Sequence, residues 1–176
     1  MYLLHEGDTE AKQRVQLLGS GTILREVIAG AELLAKDYGV AADIWSCPSF
    51  TELRREAMDV ERWNMLHPEQ KVKTPWVTQC LAGRKGPVIA STDYIKMFPD
   101  QIRAWVPGRY RVLGTDGFGR SDYRRNLRSF FEVDRHFVAL AALQALAAEG
   151  AVPAATCADA IKRYQIDPER RNPARS

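Results

Sequence analysis

The chain is poor in the features that mark several protein classes. It has only three cysteines, Cys47, Cys80 and Cys157, odd in number and far apart. No Cys-x-x-Cys pair and no Cys/His ligand spacing occurs, so neither a zinc site nor a disulfide framework is supported. Three reduced, partly buried thiols in a cytoplasmic protein are the expectation. No apolar run approaches the roughly 20 residues of a membrane span. The opening residues, Met1-Tyr2-Leu3-Leu4-His5-Glu6-Gly7-Asp8, have no basic lead and no long apolar core, and do not read as a signal peptide. An excess of one charge is also missing: 25 Lys and Arg stand against 22 Asp and Glu. Nucleic-acid binders usually show a stronger basic excess with interleaved aromatics, so neither nucleic acid nor a membrane is an expected partner. Basic residues cluster locally at Arg120, Arg124, Arg125 and Arg128, and again at Lys162, Arg163, Arg170, Arg171 and Arg175. With Glu and Asp interspersed, they read as solvated helix faces and a solvated tail.

What is present is an ordinary globular composition, 45% hydrophobic and 27% charged, on a chain of 176 residues that suits one domain. Residues 1–13 read as a polar lead-in with an edge strand at Tyr2–Leu4. Residues 14–167 read as the domain, and residues 168–176 as a polar tail. Strands are expected at Arg14–Leu18, Ala41–Cys47, Pro87–Ser91 and Tyr110–Leu113. Between the first two, Ile23, Val27, Ala31 and Leu34 recur at helical spacing, and Gly39 is a suitable stop. Ser49 and Glu52 have the spacing of a capping box for a helix to about Trp63. Thr74-Pro75 has the form of a cap and a first-turn proline for a short helix through Leu81. Thr92 or Asp93 is expected to cap a helix carrying Ile95, Phe98, Ile102 and Trp105, which Pro99 bends or splits. Asp134 opens an alanine-rich helix that Gly150 ends, and Pro153 starts another through Tyr164. Strands alternating with crossover helices predict an α/β fold: a three-layer sandwich whose mostly parallel mixed sheet has about five strands.

Two candidate sites fail on chemistry. Gly19-x-Gly21 follows a strand, but Leu24 stands where a dinucleotide fingerprint needs its third glycine, so a tight turn is the better reading. His67 has no Ser or Cys nucleophile nearby in sequence and reads as a structural or interface histidine.

The most informative stretch is Arg111–Asp122. A short strand runs into three glycines within six residues, Gly114, Gly117 and Gly119. Glycine reaches positive φ and lets another backbone come close. Asp116, Ser121 and Asp122 supply oxygens expected to bond local N–H groups and to cap a helix over Tyr123–Phe131, with Leu127, Phe130 and Phe131 turned inward. Phe118, Arg120 and Tyr123, with Trp63, Met65 and Trp76 elsewhere, are interface candidates by residue type.

The sequence Gly114-Thr115-Asp116-Gly117-Phe118-Gly119-Arg120-Ser121-Asp122 resembles a signature of the homodimeric pyruvate dehydrogenase first component, a thiamine-diphosphate-dependent family of the transketolase-like superfamily. Val15–Gly21, Ser49–Leu53, Glu61–Pro68 and Ala90–Tyr94 agree in the family's order. The resemblance covers nearly all of the chain, but only the C-terminal domain of a much longer enzyme. It implies a transketolase C-terminal-type fold. For the full-length enzyme it implies thiamine diphosphate and magnesium, a homodimer mate, and a dihydrolipoyl acetyltransferase core as partner. The thiamine-enzyme diphosphate motif is missing here. Thr115-Asp116-Gly117 is its nearest fragment, and no catalytic, cofactor or metal residue carries over. The expected role is packing on the preceding domains and the dimer mate, with Asp116, Phe118, Arg120, Ser121, Asp122, Trp63 and His67 as candidate interface or loop residues. The alternative is a small-anion or other ligand-binding module in which the loops Gly19–Thr22, Ser46–Thr51, Ser91–Tyr94 and Thr115–Asp122 converge on one rim.

Overall fold

The computed structural model describes residues 1–175. Five strands form one sheet: β1 (Tyr2–His5), β2 (Gln13–Gly19), β3 (Val40–Ser46), β4 (Val88–Ser91) and β5 (Tyr110–Leu113), in the order β1-β3-β2-β4-β5. β2, β3, β4 and β5 are parallel, and β1 pairs antiparallel with β3 at the edge. Seven helices accompany them: α1 (Leu24–Tyr38), α2 (Phe50–Leu66), α3 (Trp76–Leu81), α4 (Met97–Asp100), α5 (Arg124–Phe130), α6 (Arg135–Ala148) and α7 (Ala154–Arg163).

The period-2 side-chain alternation of the strands divides the core in two. Val15 and Leu17 of β2 and Val40, Ala42 and Ile44 of β3 face one way. They pack on Val27 and Leu34 of α1 and Val138, Ala142 and Leu146 of α6. Leu18, Trp45, Val88 and Ala90 face the other way, onto Phe50 and Leu53 of α2, Val77 and Leu81 of α3, and Ile102. Three layers result, as the alternation of strands and helices predicts. α6 is buried on most of its circumference, including Ala139, Ala141, Leu143 and Ala145, because it lies between α1 and α7.

The fully buried strand β2 is not wholly apolar. Arg14 and Gln16 lie in the interior beside Asp43 of β3, which is completely enclosed. Arg14 donates to Asp43 Oδ1 at 2.6 Å, and the backbone N–H of Gly7 donates to the same oxygen at 3.0 Å. Gln16 Nε2 donates to Asp43 Oδ2 at 2.9 Å, while Gln16 Oε1 accepts from Trp45 Nε1 at 2.9 Å. Arg84 reaches Asp43 at 3.4 Å and also pairs with Glu6. Burial opposes the charged form of Asp43, but the hydrogen bonds from Gln16 and Gly7 and the Arg14 charge outweigh it, and the carboxyl titrates below its ordinary value. One carboxylate thus ties the lead-in segment, two central strands and the turn before β4 together.

Several local expectations need correction. Thr74 is not the cap of α3. Pro75 holds the N-cap position, and the Thr74 carbonyl accepts from Gln79 Nε2 at 2.5 Å. The helix expected over 92–105 is reduced to α4 and a 3₁₀ turn at Arg103–Trp105. Pro99 has no N–H to extend the ladder, and its carbonyl instead receives the buried Tyr110 hydroxyl at 2.8 Å. Thr92 Oγ1 accepts from Tyr94 N, and Asp93 turns across the rim to Thr22, so neither residue caps α4. α2 runs past Trp63 to Leu66, and Ser49 accepts from Glu52 N at its start as expected. The tail is largely exposed as expected, but it is anchored at two points. Arg170 donates to the carbonyls of Ser129 and Phe130 at 2.9 and 3.2 Å, and Pro173 is buried.

Asp43→Asn leaves Arg14 buried without its counter-charge. A loss of about 3–5 kcal/mol is expected in urea unfolding of the 176-residue chain. Because the folded pKa of Asp43 is depressed, its stabilisation is fully present above the ordinary aspartate pKa of about 4 and is lost as pH falls through the lower folded value. Unfolding midpoints measured from neutral to acid pH should fall in that window, and the fall should be smaller in Asp43→Asn.

Candidate functional site

The strand order reverses between β2 and β4. The chain leaves β2 toward α1 on one face of the sheet, and leaves β4 toward Ile102 on the other. A crevice opens at such a switch point, at the strand C-termini. Here it is bridged by side chains. Ser20 donates to Thr92 Oγ1 at 2.7 Å and Thr22 donates to Asp93 Oδ2 at 3.2 Å.

The glycine-rich loop after β5 closes one side of this crevice. Thr115 N donates to Tyr94 O at 2.9 Å and the Thr115 hydroxyl to Asp93 O at 2.8 Å. Asp116 Oδ1 accepts from Lys96 N at 2.9 Å, so Asp116 braces the neighbouring loop and not its own. Gly114 is required by proximity: a Cβ there would lie 2.7 Å from the Tyr94 carbonyl oxygen. Gly117 is required twice. Its φ is +107°, and a Cβ would lie 2.2 Å from Pro173 O of the docked tail.

Beyond Gly117 the loop is exposed. Phe118 is 80% and Tyr123 83% solvent-accessible. The Arg120 guanidinium lies 4.0 Å from the Phe130 ring centroid. Asp122 Oδ1 accepts from Tyr123 N at 2.6 Å and Asn126 Nδ2 at 3.0 Å, but the N-cap of α5 is Tyr123, which has no side-chain cap. The expectation that Asp122 or Ser121 caps this helix is therefore wrong; Ser121 is exposed. Leu127, Phe130 and Phe131 turn inward as expected but are only half-buried.

Between the loop, the crevice and α5 lies a cleft of about 500 Å³ lined by Thr22, Asp93, Thr115, Arg120, Arg124 and Arg128 over a floor of Ile23, Leu127, Phe131 and Val133. Three of the four rim loops meet here. The fourth, Ser46–Thr51, does not line the cleft: Cys47 N bonds Gly19 O and Ser49 caps α2. Trp63 and His67 are also separate from it. α2 carries them about 20 Å from its start. The two rings stack at 4.5 Å, His67 Nδ1 lies 2.8 Å from Trp63 O, and Lys73 sits over the Trp63 ring at 3.7 Å. His67 serves the local structure of that corner.

Glu26 is the site residue that sequence reasoning missed. It is buried on α1 and accepts from Arg128 at 2.8 Å and from Arg135 Nε at 3.0 Å. Burial opposes its charge, but the hydrogen bonds and charge of Arg135, with the charge of Arg128, hold its pKa below the ordinary glutamate value. The signal available was a carboxylate beside Val27 on an otherwise apolar helix stripe. Among the described residues no group of three His, Cys, Asp or Glu side chains is placed to share a metal ion. Among the same residues no helix is long and apolar enough to cross a membrane.

Residues 1–134 match the transketolase-like TK C-terminal domain family. The chain belongs to that family. It is 63% identical over 174 residues to the pyruvate dehydrogenase E1 component of Pseudomonas aeruginosa, covering 98% of this chain and 20% of that protein. It is 54% identical over 164 residues to the protein of the same name from Escherichia coli K12, covering 93% and 18%. The chain thus spans about a fifth of the length of these relatives. In fold it is similar to the transketolase of Campylobacter jejuni, with a TM-score of 0.52 at 23% identity over 81% of this chain and 18% of that one.

Gly117→Ala introduces both a disfavoured φ and a clash with Pro173. The tail should lift away, and trypsin should cut at Arg170 and Arg171 faster than in the parent chain under conditions that leave the core intact.

Proposed function

We propose that this chain is the C-terminal assembly domain of an acetyl-transferring pyruvate dehydrogenase. That enzyme decarboxylates pyruvate oxidatively and passes the acetyl group to the lipoyl group of a dihydrolipoyl acetyltransferase core. The observation that carries the proposal is the 63% identity over 98% of the chain to a pyruvate dehydrogenase E1 component five times as long. Residues 14–167 are the packing domain, 1–13 lead in from the preceding domain, and 168–176 form the tail.

Thiamine diphosphate and magnesium belong to other parts of the full-length enzyme in this reading. The residues here do not fit them. Asp116 in Thr115-Asp116-Gly117 is engaged with Lys96 N, and the Thr115 hydroxyl donates to Asp93 O. In the cell the enzyme works in the cytoplasm, with the homodimer mate and the acetyltransferase core as its partners.

The loop after β5 is the contact surface. Gly114, Asp116 and Gly117 fix its backbone from below, Arg120, Ser121 and Asp122 shape its return into α5, and Phe118 and Tyr123 project. A large aromatic held on a braced loop loses little conformational entropy on docking, which favours an interface role over a core role. Trp63 and His67 form a second, smaller contact corner.

In the full-length enzyme, Phe118→Asp should weaken dimer association at least tenfold in sedimentation velocity, with a parallel loss of lipoyl acetylation. Unchanged dimerisation together with unchanged activity refutes the contact role of the loop.

A further inference from the structure

The cleft at the switch point is strongly unbalanced in charge. Arg120, Arg124 and Arg128 line it, and Asp93 is the only carboxylate among its lining residues. Arg128 is committed to Glu26, but among the described residues Arg120 and Arg124 have no carboxylate partner within ion-pair distance. Arg124 and Arg128 stand at i and i+4 on α5, one turn apart on the same face. Glu26 offsets the charge of Arg128, which leaves Arg124 as the uncompensated cation of the two.

The arginines are held in different ways that suit such a role. Arg128 is fixed at 2.8 Å on buried Glu26, and Arg120 is laid over the Phe130 ring at 4.0 Å. Arg124 lies between them in sequence, at the start of α5, and also lines a second, adjoining cleft of about 580 Å³ with Arg125 and Arg135. The backbone N–H groups from Asp116 to Asp122 donate to no acceptor among the described residues. The floor is apolar, from Ile23, Leu127, Phe131 and Val133. The volume of about 500 Å³ falls in the range of small-molecule sites.

We propose that this cleft binds a small molecule bearing a phosphoryl group, with Arg120 and Arg124 as its forked donors, Arg128 as the supporting charge and the apolar floor under its non-phosphate part. Guanidinium groups match phosphoryl oxygens in bidentate geometry.

The test uses the full-length enzyme already saturated with its own cofactor, titrated calorimetrically with inorganic pyrophosphate against a background of fixed ionic strength. Saturable binding of one equivalent per chain is expected. It should weaken at least tenfold in the double variant Arg120→Gln/Arg124→Gln, which removes no ion pair among the described residues. Arg62→Gln, exposed on α2, should change it less than twofold. Binding undiminished in the double variant overturns the proposal. So does the absence of saturable uptake by the parent enzyme, which would mean that carboxylates of a neighbouring domain or subunit fill the cleft.

Discussion

Burying a carboxylate between two central strands is costly unless each of its oxygens is satisfied. Asp43 meets that condition through Arg14, Gln16 and the Gly7 amide, with Arg84 at the perimeter. The rest of the sheet is organised by this cluster. It sets the register of β2 on β3, because Gln16 lies directly opposite Asp43 in the parallel ladder. It fastens the segment after β1 through Gly7 and the turn before β4 through the Lys85 carbonyl, which accepts from Gln16. The apolar layers supply most of the driving force for folding, but they are tolerant of small slips. A buried charged hydrogen-bond network is not, since a slip by one residue would strand Arg14 or Asp43 on the wrong face.

A second carboxylate does similar work on the other side of the sheet. Glu26 draws Arg128 of α5 and Arg135 of α6 onto α1. It thereby fixes the helix that follows the glycine-rich loop, and with it the far wall of the cleft. The loop is held at its near end by Tyr94 and Lys96 and at its apex by the docked tail. Phe118 and Tyr123 project from it and are exposed.

Much of this architecture is legible in the chain. The strand at Tyr110–Leu113 falls where expected, and the other parallel strands differ by one or two residues at their ends. Ser49, Asp134 and Gly39 act as helix signals because caps and stops depend on a few neighbouring residues. The misses are of one kind, residues of cap type that do not cap. Thr74, Asp93 and Asp122 have the residue type of a cap, but Asp93 is claimed by Thr22 and Asp122 by Asn126, and Pro75 takes the position from Thr74. Only Asp93 is drawn away by a distant partner; at Thr74 and Asp122 the competing residues lie within four positions.

The amino-acid order alone determined the alternation of strands and helices, the two-sided core and the place of the glycine-rich loop, because each follows from periodicity and from residues within a few positions of one another. Only the tertiary structure decided that Arg14, Gln16 and Asp43 form one buried cluster, that Glu26 gathers Arg128 and Arg135, that the tail closes on Gly117, and that three rim loops converge while Ser46–Thr51 turns away. These contacts join residues tens of positions apart, or more than a hundred for Glu26 and Arg135. Their partners are chosen by the path of the backbone and not by neighbouring side chains.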